Sequence, residues 1–272
     1  MMNKIYKKNE VTFAVVMIII YVIGTSAAEA ITATIGMVKL VPAIFHASLT
    51  AVMIGWIKHN GLKDKYGLVI PRYNLKYVWF YIPLFIVACS GLAAGTEIRY
   101  SLPETVFYVI SMWCVGFLEE IIFRGFLFVG MARSNLRSAI IVSSITFGIG
   151  HIVNLLSGQP LFETIIQILF AIAVGFTLVI LFYKGRSLIP CIIFVGLNNS
   201  LSAIEKTNTE AAEIFSMSEA QFEIVFVFIV IFVLAIYGIF IMKKLKCSER
   251  KNGIEGYPDT EKRDGDFRNQ VS

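Results

Sequence analysis

The stretch GFLEEIIFRGF, residues 116–126, decides how the chain is read. Glu119, Glu120 and Arg124 stand there among Leu, Ile, Phe and Gly. The apolar run around them covers about 104–131, enough for a helix to cross a bilayer, which takes roughly 20 residues. An ionisable side chain near mid-membrane costs roughly 2.5–3.5 kcal/mol on insertion scales, so three together require pairing or a chemical task. On a helix Glu120 and Arg124 are four positions apart and share a face, with the acid placed before the base, the favourable order. Glu119 is turned about 100° from Glu120 and shares its face with Gly116 and Phe123. Glu120 and Arg124 can therefore neutralise each other. Glu119 is left without a local partner, as suits a general base.

The composition around this stretch excludes a soluble domain. The chain has 272 residues, 57% of them hydrophobic and only 16% charged, where soluble domains carry about a quarter. Charges fall in short clusters separated by eight candidate spans: about 11–30, 38–57, 77–95, 104–131, 137–156, 162–183, 187–203 and 221–242. With the N-terminus inside, every Lys and Arg lies in a cytoplasmic segment except Lys39, Arg99, Arg124 and Lys206, as the positive-inside rule asks. The acidic 201–220 loop, with Glu205, Glu210, Glu213 and Glu219, then lies outside. The expected fold is an all-α polytopic membrane bundle of about eight transmembrane helices with both termini cytoplasmic. Four regions follow. Residues 1–103 hold three N-terminal helices and the basic 58–76 loop, and 104–203 form a core. Residues 204–246 supply an extracytoplasmic loop and the last span, and 247–272 form a polar tail. Residues 1–30 also fit a cleavable signal peptide, with Lys4 to Lys8 before an apolar run and Ala28-Glu29-Ala30 after it. The apolar character continues to Ile31, which favours a first span.

The net charge of +5 and the Lys243-Lys244-Leu245-Lys246 run read as topology determinants and contacts to anionic lipid, with no nucleic-acid partner implied. Cys89, Cys114, Cys191 and Cys247 show no paired spacing, and three of them lie in spans, so neither a disulfide framework nor a thiolate zinc site is expected.

Two further stretches place polar groups inside spans. In Phe147-Gly148-Ile149-Gly150-His151, one of only three histidines sits among small residues that let a neighbouring helix approach. A lone intramembrane imidazole more often packs than reacts, and Asn154 is a candidate partner for it. In Ser187-Leu188-Ile189-Pro190 through Asn198-Asn199-Ser200, the two amides must face the bundle interior, either as helix–helix glue or as oxyanion donors.

Together the three stretches resemble the signature of the CAAX protease and bacteriocin-processing (CPBP, or Abi) family of intramembrane proteases. The EExxxR motif is matched by Glu119, Glu120 and Arg124, followed by Gly125. The FxxxH motif is matched by Phe147 and His151. The HxxxN motif, with its Ser-Leu-Ile-Pro approach, is matched by Asn199, but its histidine position is Val195. The resemblance covers about 104–203. It implies a helical bundle with a membrane cavity, and a peptide-bond hydrolase in which Glu119 and His151 activate water and Asn199 steadies the oxyanion. Glu120 and Arg124 would form a structural ion pair, and Phe147 and Asn198 would contact substrate.

Members of this family are commonly called metalloproteases, so zinc is the candidate cofactor and Glu119 and His151 the candidate metal ligands. A catalytic zinc takes three protein ligands, and Val195 removes one. His46, in the second span, is a candidate second imidazole, and His59 belongs to a basic loop. The partners implied are the lipid bilayer and a peptide or membrane-protein substrate, in a bacterial cell membrane. The competing reading is a degenerate member acting as a membrane scaffold or in bacteriocin self-immunity. A transporter would spread ionisable groups over several helices, whereas here they cluster on one.

Overall fold

In a computed structural model the chain is described over residues 2–70, 81–206 and 209–244. A short helix α1 (Met2–Lys8) leads into α2 (Glu10–Ile35), which starts where the Asn9 side chain accepts a hydrogen bond from Thr12 N at 2.9 Å. Helix α2 ends at Gly36 in the left-handed region, and α3 (Leu40–His59) returns. After α4 (Ile82–Ala88) and a 3₁₀ turn (Ser90–Ala94), α5 (Leu102–Glu119) opens on a Ser101–Glu104 capping box. Helix α5 runs without a break into a π-helix (Glu120–Phe128) and then α6 (Val129–Ala132). Helix α7 (Leu136–Ile149) becomes a 3₁₀ segment (Gly150–Ser157) that stops at Gly158. Then follow α8 (Leu161–Gly185), α9 (Ile189–Leu201), α10 (Thr209–Ile214) and α11 (Glu219–Lys244). The described residues form helices with no strand, only one isolated bridge between Thr96 and Glu205.

Six helices are long and apolar enough to span a membrane: Glu10–Ile35, Leu40–His59, Leu102–Ala132, Leu136–Leu156, Leu161–Gly185 and Glu219–Lys243. They correspond to six of the eight expected spans. The expected seventh is the shorter apolar helix Ile189–Leu201. The expected third survives as α4 and its 3₁₀ turn, while 71–80 lies outside the described residues. The basic run after Lys244 and the polar tail also lie outside them.

Exposure is distributed as lipid requires. Ile23, Ile44, Phe85, Phe228 and Phe232 point outward, whereas Glu120 and Arg124 are wholly buried. The whole π segment, Glu120–Phe128, is buried and forms the axis of the bundle. An α-helix was expected through this motif. Within the wider turn the Phe123 carbonyl also accepts from the Ser143 hydroxyl of α7 at 2.9 Å, a partner outside its own helix.

Close helix approach fixes the walls. A Cβ on Gly116 of α5 would lie 2.7 Å from Gly196 N of α9, so only a glycine lets these two helices touch backbone to backbone. The Ser-Leu-Ile-Pro turn before α9 is pinned from the 60–70 loop: Leu188 N donates to Gly67 O at 2.8 Å and Ser187 Oγ donates to Val69 O at 2.7 Å.

Candidate active site

The π segment sorts the three charges of the opening motif. Arg124 Nη1 lies 2.9 Å from Glu120 Oε1, an ion pair out of line for a hydrogen bond, with both side chains 0% exposed. The Arg124 guanidinium also stacks on the Phe147 ring, 4.0 Å from its centroid. Nε and Nη2 of Arg124 have no hydrogen-bond partner among the described residues. This pair lies within one segment and is sealed in the core.

Glu119 points elsewhere. It is 8% exposed, and its Oε1 accepts a hydrogen bond of 3.1 Å from the Tyr21 hydroxyl of α2. The partner that no neighbour in sequence supplies thus comes from 98 residues away. A tyrosine in an apolar first span carried no signal of this role, because only the packing of α2 on the π segment creates the contact.

Glu119 lines a cavity of about 900 Å³ together with His151, Asn199, Tyr21 and His46. The imidazole of His151 sits at the α7-to-3₁₀ junction, and its Nδ1 lies 3.2 Å from the Phe147 carbonyl. A carbonyl can only accept, so Nδ1 carries the proton and Nε2 keeps its lone pair. On the opposite wall, Asn198 Nδ2 donates to Asn199 Oδ1 at 3.3 Å. With that oxygen engaged, the Asn199 NH₂ remains as a donor.

Phe147 and Asn198, expected at the substrate, do not line the cavity. Phe147 is buried between Phe123, Arg124 and His151, with ring centroids 5.4 Å from both Phe123 and His151. Asn154 partners Gln167 of α8 at 2.8 Å, the place the sequence offered to His151. Val195 is buried in the apolar core and does not face the cavity.

The same geometry tests the zinc expectation. Among the described residues no three His, Cys, Asp or Glu side chains are grouped to hold a metal ion. His46, the candidate second imidazole, is 1% exposed and engaged on both sides: Nε2 lies 2.9 Å from Thr25 Oγ1 and Nδ1 2.9 Å from Ser111 Oγ. Glu119 and His151 alone do not fit a three-ligand zinc site.

Six helices long and apolar enough to cross a membrane, packed around a buried ion pair and a cavity lined by ionisable groups, define a multi-pass membrane protein. Residues 101–201 match the family described as type II CAAX prenyl endopeptidase Rce1-like. The matched region holds Glu119, Glu120, Arg124, His151 and Asn199, and leaves out Tyr21 and His46 on α2 and α3. No curated protein and no solved structure matches the chain.

Proposed function

We propose that the protein is an intramembrane endopeptidase that hydrolyses a peptide or membrane-protein segment with water activated by Glu119 and His151. The observation that carries this reading is the shared cavity, in which Glu119, His151 and Asn199 face one volume while Glu120 and Arg124 are closed off from it. Tyr21 occupies one carboxylate oxygen of Glu119 and leaves the other for a water molecule. Glu119 takes a proton from that water as its oxygen attacks the scissile carbonyl, and the Nε2 lone pair of His151 orients the nucleophile. The Asn199 NH₂ donates to the oxyanion of the tetrahedral intermediate. Collapse breaks the C–N bond, and the Glu119 carboxyl returns its proton to the leaving amine. The products are a carboxylic acid and an amine.

The family description names a prenyl endopeptidase, and the cavity wall of hydroxyls, amides and carboxylates supports a peptide as the substrate of this chain. The distribution of Lys and Arg supports cytoplasmic termini.

The test compares Glu119→Gln with Glu120→Ala in membrane-embedded protein. Glu119→Gln is expected to abolish hydrolysis at unchanged expression, and Glu120→Ala to lower expression and thermal stability. Hydrolysis that survives Glu119→Gln would overturn Glu119 as the base, and an unmutated protein that hydrolyses nothing would hand the site to the scaffold or self-immunity reading. Activity is further expected to withstand strong zinc chelators, because the donor set lacks a third ligand.

A further inference from the structure

Beyond the reacting groups, the cavity holds a cluster of amides that the proposed chemistry does not use. Gln167 Oε1 of α8 accepts from Asn154 Nδ2 at 2.8 Å and from Gln159 Nε2 at 3.1 Å. All three residues are half-buried and line the same cavity as Glu119 and His151. Both donors converge on one oxygen, so the NH₂ of Gln167 and the carbonyl oxygens of Asn154 and Gln159 have no other side-chain partner among the described residues. Asn154 and Gln167 lie within span helices, where such groups are costly unless they face water or a polar ligand, and Gln159 lies in the turn between those spans.

Their spacing from the reaction centre carries the argument. His151 and Asn154 belong to the same 3₁₀ segment, Gly150–Ser157. In a 3₁₀-helix residues three apart lie on one side, and three steps of about 2.0 Å separate them by about 6 Å. Two residues of an extended peptide span about 6.6 Å. A chain that runs along this segment with its scissile carbonyl between Glu119 and His151 would bring its main-chain amide two residues away to Asn154 and Gln167. An amide NH₂ beside a carbonyl oxygen is complementary to the C=O and N–H of a peptide bond.

We infer that Asn154, Gln159 and Gln167 form a subsite for the main chain of an extended peptide. The inference rests on the endopeptidase reading and names its substrate class: an unwound segment held through its backbone, with little demand on its side chains.

The test measures binding in nanodiscs, by fluorescence anisotropy, on a Glu119→Gln background that does not cleave. The probe is a short dansyl-labelled peptide of Ala and Leu, compared with the same peptide N-methylated at alternate amides. The plain peptide is expected to bind and the N-methylated one to bind about five- to tenfold more weakly, the worth of one neutral hydrogen bond. Gln167→Leu and Asn154→Leu should weaken the plain peptide by the same factor. Gln167→Glu keeps an oxygen to hold Asn154 and Gln159 but lacks the NH₂, so its equal loss separates recognition from folding. Equal affinity for the two peptides, unaltered binding to Gln167→Leu, or no binding of the plain peptide overturns the subsite. If the pattern appears but the unmutated chain hydrolyses nothing, the subsite stands and the endopeptidase reading falls. If hydrolysis occurs but binding ignores N-methylation, the reverse holds.

Discussion

The glutamate pair divides its work through what each carboxylate touches. Glu120 meets a guanidinium in a dry core, whereas Glu119 meets a phenol at the edge of a cavity. A hydrogen bond to a charged group contributes about 1.5–3 kcal/mol, so Tyr21→Phe is expected to lower kcat by about ten- to a hundredfold. KM should hold, because Tyr21 is assigned to orienting the base; a split between kcat and KM on a peptide substrate checks this. Asn199→Ala removes a donor assigned to the oxyanion alone and is expected to cost about 10²–10³ in kcat. Asn199→Ala should retain the thermal midpoint of the parent, whereas Tyr21→Phe, which removes a buried bond between α2 and the π segment, should lower it. His46 contrasts with both, since its two ring nitrogens join Thr25 of α2 to Ser111 of α5 and its task is to hold helices.

Elements position the residues of the cavity through two backbone devices. The first is the contact of α5 with α9 at Gly116 and Gly196. Gly116→Ala would force the α9 backbone away, at a cost of roughly 1–3 kcal/mol for overpacking, and would carry Asn199 with it. A lower thermal midpoint together with reduced kcat is the expected outcome, read on purified protein in detergent. The second device is a clamp outside the spans, where Glu97 N donates to Ile204 O at 2.8 Å and Lys206 N donates to Gly95 O at 3.2 Å, just beyond the end of α9. Desolvation pushes the Glu205 carboxyl in this clamp above its usual pKa, with the nearby Arg99 opposing. For an acid with a raised folded-state pKa, the folded form is penalised as pH rises through the unfolded value, about 4.3, and stays penalised above it. Glu205→Gln should therefore slow hydrogen exchange in the 95–97 and 204–206 amides at pH 7. That advantage should fade as pH falls toward 4, where the parent carboxyl is itself neutral.

At the scale of the molecule, apolar side chains cover the outer surface as well as filling the core, and Glu119, Glu120 and Arg124 are charged groups buried within it. The Glu120–Arg124 pair then acts as a lock whose halves must be removed together. Arg124→Met leaves a buried carboxylate uncompensated, which typically costs about 3–5 kcal/mol, and Glu120→Leu leaves a buried guanidinium at similar cost. The double variant is expected to be more stable than either single one, as measured by thermal unfolding in detergent. Equal or additive losses would show that the two charges do not neutralise each other.

Much of this architecture was legible in the chain because hydrophobicity and charge act locally. Apolar runs marked the spans, and the four-residue spacing of Glu120 and Arg124 predicted their pairing. The resemblance to the CAAX protease family rested on motifs that the 101–201 match bears out. Contacts between distant helices were not legible. Tyr21 on Glu119, Thr25 and Ser111 on His46, and Gln167 between Asn154 and Gln159 each join separate elements of the chain. The bond from the α7 hydroxyl of Ser143 to the Phe123 carbonyl in the π turn is another such contact. Sequence alone determined which residues are too polar for lipid, because that is a property of each side chain. Only tertiary structure decided which of them meet, because a hydrogen bond depends on the ångström-scale approach of helices that no local pattern encodes.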